Sequence, residues 1–379
     1  MWSGDPPYAQ RVQHARRPGA TVWTVLVLVL VLTVVNVGVG ATWWGRASAD
    51  PRSAVTVTAT PTPTPAVTPT PTVLPDPAGS DGIPLAEHPP ASGEPVTLDL
   101  ARTWAPRTDL PTAGRLLRVT IPATRSHFTA RPGLLWLPPA ALVPDPPALP
   151  VVVLLPGQSR GSGPEDLETG GHLTETMDAV AGMHAGLAPI VVVPDQLGPD
   201  SGNPMCVDGP LGNSQTYLEQ DVPAWITSHL RVQTGASAWT IGGFSQGGTC
   251  AIQLGAGDPG RFGNIIDVSG ELGPTLGSPG ESIARGFSGD AAAYRAAQPE
   301  ALLAAHGPYR DSSAFFTAAQ LDGRYGPAMP VVAAHAAAAG MRVTTWVVPG
   351  VKHNWLAARA AIAAGMAWLV PRIGLAPGP

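Results

Sequence analysis

The sequence predicts an α/β protein whose mainly parallel central sheet carries helices on both faces. From about Pro95 onward, short β-branched runs bounded by Gly, Pro or Asp alternate with helix-like stretches. Most of these runs are almost continuously apolar, as expected for strands covered on both faces. Ahead of this body, an uncharged Val- and Leu-rich run and a Thr/Pro-rich segment predict one N-terminal transmembrane helix and a linker.

The N-terminal segments predict how the chain is placed in a cell. Residues 1 to 20 are polar and include Arg11, Arg16 and Arg17, whereas residues 21 to 44 carry no charge. The uncharged run can span a bilayer, and basic residues ahead of it favour a cytoplasmic N-terminus. We therefore expect a single-pass signal-anchor in the cell membrane, with the body of the protein extracytoplasmic.

A cleaved signal peptide is the alternative for the same segment. Ala47-Ser48-Ala49 has the form that a signal peptidase accepts, and the body would then be secreted. The apolar run is longer than the usual core of about 7 to 15 residues, which favours the anchor.

Residues 45 to 94 predict a disordered linker, because their repeated Pro and Thr supply little apolar surface to bury. The folded domain is expected over residues 95 to 379.

Composition narrows the range of partners. Charged residues make up 13% of the chain and the formal net charge is −5, without the basic footprint of a nucleic-acid binder. Cys206 and Cys250 would face an oxidising compartment, so we expect a disulfide, with two buried thiols as the alternative. Two cysteines without clustered histidines offer no zinc site, and no metal or other cofactor is expected.

The order of elements in the body follows from these apolar runs. The first two strand-like segments, 114 to 123 and 130 to 141, look like an entering antiparallel pair. The other predicted strands are 149 to 157, 188 to 198, 237 to 245, 263 to 270, 313 to 322 and 342 to 350. Helices are expected over roughly 165 to 185, 217 to 230, 247 to 256, 291 to 305, 328 to 339 and 355 to 370. In such sheets, ligands bind beyond the carboxyl ends of the strands.

The pattern G-x-S-x-G occurs twice, as GQSRG at 157 to 161 and as GFSQG at 243 to 247. In an α/β-hydrolase fold this pattern marks the nucleophile elbow, a tight turn from a strand into a helix. The second copy follows the strand "AWTI" and continues into the helix-like "TCAIQLGAG". The first copy is followed by Gly, Pro and acidic residues instead. Ser245 is therefore the predicted nucleophile.

A serine hydroxyl needs a base, and histidine suits that role near neutral pH. In the hydrolase order the histidine follows the last strand, which is where "VVPGVKHNW" places His353. Other histidines lie within or near the ends of predicted helices: His184, His229, His306 and His335. We assign His353 as the base.

A carboxylate must orient the imidazole, and it is expected at a strand end before His353. Asp322 ends the strand "AFFTAAQLD" and opens the turn "DGRYG". Glu271, after the preceding strand, is the second choice. The remaining competing acids are Asp267, Asp290 and Asp311. We assign Asp322 as the triad acid.

The first G-x-S-x-G copy is assigned to the oxyanion hole. One backbone N–H of such a hole comes from the residue after the nucleophile, and another comes from the loop after an early strand. Gln246 supplies the first, and Gln158 is the candidate for the second, with Ser159 close behind. A flexible loop without a catalytic role is the alternative for this copy.

Several segments together resemble the esterase family of α/β hydrolases that includes esterase D and the antigen 85 mycolyltransferases. They are "PDQLG", "NPMCVDGPLGNSQTYLEQDVPAWI", "GGFSQGG", "DVSGEL" and "VPGVKHNW", in the order that the family has them. The resemblance covers about residues 130 to 370. It implies a triad of Ser245, Asp322 and His353, and it supports Gln158 and Gln246 as oxyanion donors.

The departures from the mycolyltransferases concern the substrate. Their oxyanion loop carries Asp-Gly-Leu-Arg, whose acid and base hold a sugar, whereas this chain reads Pro156-Gly157-Gln158-Ser159. Their triad acid is Glu, and they lack a Thr/Pro stalk behind an anchor. Acyl transfer to trehalose therefore does not carry over.

We expect a serine esterase acting on a small-molecule or lipid ester. One alternative is an acyltransferase that moves the acyl group to a sugar or lipid hydroxyl. Another is a catalytically silent wall-binding module that uses the fold as a scaffold.

Overall fold

A computed structural model of the chain describes residues 98–158, 163–199 and 202–376. The segments interpreted as a cytoplasmic N-terminus, a signal-anchor and a linker, residues 1 to 20, 21 to 44 and 45 to 94, lie outside these ranges. Within them, no helix is long and apolar enough to cross a membrane.

The described residues form ten strands: β1 (Arg115–Val119), β2 (Gly133–Leu137), β3 (Val151–Leu155), β4 (Ile190–Val193), β5 (Asp208–Gly209), β6 (Gly212–Asn213), β7 (Trp239–Phe244), β8 (Asn264–Val268), β9 (Ser313–Ala319) and β10 (Arg342–Val348). Eight of them form the central sheet, in the order β1-β2-β4-β3-β7-β8-β9-β10. Strands β1 and β2 pair antiparallel, and β2 is antiparallel to β4. The strands from β4 to β10 in this order are parallel. Strands β5 and β6 form a separate two-stranded ladder.

Helices connect most of the parallel strands. A π-helical segment, Tyr217–Asp221, continues directly into the helix Val222–His229. The α-helices are Leu100–Thr103, Asp166–Thr169, Leu173–Met183, Ser214–Thr216, Val222–His229, Gln246–Gly257, Pro279–Gly286, Ala291–Ala296, Pro299–His306, Ala328–Ala338 and Trp355–Leu369.

All the predicted strands are present in the sheet, and the first two form the expected antiparallel pair. Two predicted helices are divided. The one at 165 to 185 breaks at Gly170, Gly171 and His172, where His172 has a left-handed φ of 52°. The one at 291 to 305 breaks before Pro299, because proline disfavours helical geometry at the residue before it.

Burial distinguishes the central strands from one edge of the sheet. Every residue of β3, β4, β7, β8 and β9 is buried, as their continuous apolar runs predict. The expectation of two covered faces is wrong for β10, most of whose residues are partly or fully exposed. Strand β10 pairs with β9 at the end of the sheet, so fewer elements pack over it. The carboxyl ends of β7, β8, β9 and β10 lie side by side, which brings the residues after them together.

Candidate active site

Ser245 lies in a strained turn between β7 and the helix Gln246–Gly257. Its φ of 57° and ψ of −118° fall in a region that non-glycine residues rarely occupy, as expected of a nucleophile elbow. A Cβ added at Gly247 would lie 2.3 Å from the Leu155 carbonyl oxygen, so this position requires glycine. The backbone N–H of Ser245 donates to the Val268 carbonyl at 2.8 Å, which ties the turn to β8.

The structure brings the three predicted triad residues together in one chain of hydrogen bonds. His353 Nε2 lies 2.9 Å from Ser245 Oγ, and His353 Nδ1 lies 2.9 Å from Asp322 Oδ2. Because a carboxylate only accepts, the imidazole proton sits on Nδ1 and Nε2 accepts from the serine hydroxyl. This is the tautomer that a general base needs.

The second oxygen of Asp322 is held by the turn that it opens. Asp322 Oδ1 accepts from the backbone N–H groups of Arg324 at 3.1 Å and Tyr325 at 2.9 Å. The side chain of Asp322 is 3% exposed, so these bonds replace those to water. The carboxylate is therefore fixed in position to orient the imidazole.

Two aromatic rings enclose His353. Phe244 stacks on the imidazole with centroids 4.9 Å apart, and the Tyr325 ring lies 4.5 Å from it. Phe244 directly precedes Ser245, and Tyr325 lies three residues after Asp322, but sequence reasoning missed both rings. No motif marks them, because the contact depends on how the loops fold back over the sheet.

The other carboxylates considered for the triad have different surroundings. Glu271 lies in the same cavity as His353, although Asp322 makes the hydrogen bond to the imidazole. Asp267 is buried at the end of β8, where Oδ1 accepts from the Gly270 N–H, and burial raises its pKa to about 7. Asp290 caps the helix Ala291–Ala296, and Asp311 lies in the loop before β9.

The competing histidines lie within or at the ends of helices, as predicted. His335 is within the helix Ala328–Ala338, with Nδ1 4.0 Å from Glu300. Three others stand at or next to helix C-termini: His184, His229 and His306.

Ser245 opens into a cavity of about 620 Å³. Apolar side chains such as Met205, Leu276 and Trp355 line it together with the charged Glu271 and Arg324. Burial raises the pKa of Glu271, and the nearby Arg324 opposes this shift. The volume is within the range of small-molecule sites, and the wall can contact both apolar and polar parts of a ligand.

The two predicted oxyanion residues border the nucleophile. Gln246 follows Ser245 directly, and both Gln158 and Gln246 line the cavity. A Cβ added at Gly157 would lie 3.4 Å from Ser245 Cβ, so the loop after β3 packs against the nucleophile. Ser159, the second choice in this loop, lies outside the described residues.

Cys206 and Cys250 form a disulfide that joins the loop after β4 to the nucleophile helix.

In the described part of the chain, no group of three or more His, Cys, Asp or Glu side chains is arranged to hold a metal ion.

The fold and this site define the class of protein. The parallel sheet with its antiparallel entry pair, the elbow at Ser245 and the hydrogen-bonded Ser245, His353 and Asp322 are those of a serine hydrolase with the α/β-hydrolase fold. The family model described as "Putative esterase" matches residues 130–367. The chain belongs to this family.

A relative in Corynebacterium glutamicum is an uncharacterized protein. It is 35% identical in an alignment of 285 residues, which covers 73% of this chain and 66% of the relative. The chain thus spans somewhat less than two thirds of that protein's length.

Solved structures show the same fold at low sequence identity. A ferulic acid esterase matches with a TM-score of 0.58 and 16% identity, over 69% of this chain and 98% of its own. An S-formylglutathione hydrolase from Agrobacterium tumefaciens gives 0.55 and 18%, over 69% and 97%. MPT51 of Mycobacterium tuberculosis gives 0.50 and 17%, over 69% and 100%.

Proposed function

We propose that this protein is an esterase that hydrolyses carboxylic esters through an acyl-enzyme on Ser245. The observation that carries the proposal is the hydrogen-bond chain from Ser245 Oγ through His353 to Asp322, of which Ser245 and His353 line a ligand-sized cavity. Membership of the esterase family supports it. An arrangement this complete favours catalysis over the silent wall-binding module.

The proposed reaction begins with attack by the serine. Ser245 Oγ attacks the ester carbonyl carbon while His353 Nε2 takes its proton, and Asp322 stabilises the imidazolium. The negative charge on the carbonyl oxygen would be bound by the backbone N–H groups of Gln158 and Gln246. His353 then returns the proton to the departing alkoxide, which leaves as the alcohol.

Water releases the acyl group in the second half of the reaction. His353 Nε2 removes a proton from water as its oxygen attacks the acyl carbon, and the collapsing intermediate expels Ser245 Oγ, which regains the proton. The products are a carboxylic acid and the regenerated enzyme. A sugar or lipid hydroxyl in place of water would give the acyl transfer considered as the alternative.

The distribution of products tests hydrolysis against transfer. The full chain is incubated with 4-nitrophenyl butyrate and increasing concentrations of a primary alcohol, with Ser245→Ala as the control. If the protein is a hydrolase, butyric acid should remain the main acyl product, in an amount that matches the nitrophenol released. Preferential butyrylation of the alcohol would instead support the acyltransferase, and absence of turnover would contradict both enzyme functions.

We also propose that residues 21 to 44 anchor the protein in the cell membrane and leave the esterase domain outside the cytoplasm. The support is the uncharged run with Arg11, Arg16 and Arg17 ahead of it. Protease added to intact spheroplasts should then digest the domain while a tag at the N-terminus stays protected. A domain that resists protease until the cells are lysed would contradict this placement.

A further inference from the structure

One buried side-chain amide lies between the two residues assigned to the oxyanion hole. Asn203, 5% exposed, follows β4 in a loop that reaches the cavity. Its Nδ2 donates to Gln158 Oε1 at 3.2 Å and to the Thr275 carbonyl at 3.3 Å. Its Oδ1 accepts from Gln246 Nε2 at 3.2 Å and from the Met205 N–H at 3.0 Å. Both donor and both acceptor positions of the amide are therefore used.

These bonds connect a loop and a helix terminus that are far apart in the sequence. Gln158 belongs to the loop after β3, and Gln246 begins the nucleophile helix. A second buried amide, Gln196, reinforces the connection. Gln196 Nε2 donates to Gln246 Oε1 at 2.8 Å and to the Pro156 carbonyl at 2.6 Å. The side chain of Gln246 is thus held from two sides.

The disulfide fixes the loop that carries Asn203. Cys206, three residues after Asn203, is bonded to Cys250, one helical turn beyond Gln246. Gln246 Nε2 also lies 3.2 Å from Cys250 Sγ. Movement of Asn203 away from the nucleophile helix is therefore opposed by a covalent bond as well as by hydrogen bonds.

We infer that Asn203 is a positioning residue for the oxyanion hole, a role that rests on the proposed esterase function. Its amide is saturated by protein groups, so it acts on the reaction through Gln158 and Gln246. By holding both side chains, it sets the separation of the two backbone N–H groups that bind the developing oxyanion. Such groups stabilise charge only when they are aimed before the charge develops.

The inference predicts a loss in turnover rather than in substrate binding. In the full chain, Asn203→Ala should lower kcat for 4-nitrophenyl butyrate about 10- to 100-fold, with KM changed by less than about threefold, because the donors are misaligned rather than removed. Affinity for an aryl trifluoromethyl ketone, which forms an oxyanion on Ser245, should fall by a similar factor. If Asn203 had only a structural role, its substitution would not lower kcat and inhibitor affinity by similar factors.

Asn213→Ala provides the matched control, since Asn213 Nδ2 donates to the Ser126 carbonyl and Asn213 is not among the hydrogen-bond partners of the Gln158 and Gln246 side chains. We expect its kcat and inhibitor affinity to stay near wild type. If Asn203→Ala keeps wild-type kcat and inhibitor affinity while Ser245→Ala is inactive, the positioning role is wrong and the esterase function stands. If wild type itself has no turnover, the esterase function fails.

A second variant keeps the test decisive if Asn203→Ala does not fold. Gln158→Ala removes an exposed side chain that bonds Asn203 but keeps the Gln158 backbone N–H. It should lower kcat at least about fivefold with KM little changed. In a folded Asn203→Ala/Gln158→Ala double variant, the fold-decrease in kcat should be smaller than the product of the two single decreases. Both substitutions remove the same hydrogen bond between the two side chains. An unchanged kcat in Gln158→Ala, or fully independent losses, would overturn the inference.

Discussion

His353 Nδ1 lies 2.9 Å from Asp322 Oδ2, although 31 residues separate the two in the chain. The parallel pairing of β9 and β10 produces this contact, because it places the residues after both strands at the same edge of the sheet. The nucleophile strand ends at that edge too. The catalytic arrangement is therefore a direct consequence of strand order.

The choice of Asp322 over Glu271 predicts different effects of removing each carboxylate. Asp322→Asn should lower kcat by about 10³- to 10⁴-fold, because the amide favours the wrong imidazole tautomer. Glu271→Gln should keep kcat within about tenfold, a change of about 1.4 kcal/mol or less in the barrier. Initial rates on 4-nitrophenyl butyrate measure both variants. The reverse order of effects would mean that Glu271 is the triad acid.

The tight approach at the elbow predicts that Gly247→Ala is destabilising. The new Cβ would lie 2.3 Å from the Leu155 carbonyl and 2.5 Å from the Pro156 carbonyl, so backbone must shift. We expect a loss of about 1 to 3 kcal/mol or more in the free energy of unfolding, measured by urea titration. Gly182→Ala is the control, since no atom lies within 4 Å of its added Cβ in a helix. That control should be neutral or stabilising by up to about 1 kcal/mol.

The disulfide predicts a covalent contribution to stability. Cys206 and Cys250 are 44 residues apart, and closing a loop of that size is worth about 4 kcal/mol in the chain-entropy model. The double variant Cys206→Ala/Cys250→Ala should unfold at lower urea concentration than wild type. Alkylation of unreduced, denatured protein should add no mass. Two alkylated thiols there would show that the disulfide is absent.

Asp267 predicts a pH dependence of stability. Its pKa is raised to about 7 in the folded protein, from 3.8, by burial. Between these values the folded state holds a proton that the unfolded state has lost, so this group makes stability fall as pH rises from about 4 to 7. Asp267→Asn keeps an acceptor for Gly270 but does not titrate.

Urea titrations of wild type and Asp267→Asn at pH 5 and pH 8 measure this contribution. The free energy of unfolding of Asp267→Asn, relative to wild type, should be higher at pH 8 than at pH 5. A difference that does not change with pH would contradict the raised pKa of Asp267. Comparing the two proteins at each pH cancels the titration of the other groups.

The strand ends and the three triad residues could be predicted because their signals are local. Ser245 stands in a pentapeptide that joins a strand to a helix, and His353 and Asp322 follow recognisable strands. The division of the helix at Gly170 and Gly171 was missed although its glycines are visible, because apolar spacing continues across them. The helix Pro279–Gly286 was also missed, although Ser278 caps it by accepting from the Glu281 N–H.

The surroundings of the triad could not be predicted, since they depend on tertiary contacts. Asn203 forms hydrogen bonds with Gln158 and Gln246, which lie in two other segments of the chain, and no spacing in the sequence relates the three residues. Glu271 and Arg324 likewise meet in one cavity because β8 and β9 are neighbours. The pattern of charge along the chain predicts neither contact.

Labelling of Ser245 tests the central claim most directly. A fluorophosphonate reacts with a serine whose hydroxyl is activated by a neighbouring base, as His353 Nε2 activates Ser245 Oγ at 2.9 Å. We expect one labelled site in the full chain, mapped by mass spectrometry to Ser245, with labelling abolished in Ser245→Ala and strongly slowed in His353→Ala. Failure of wild type to label, or labelling that persists in Ser245→Ala, would contradict the assignment of Ser245 as the nucleophile.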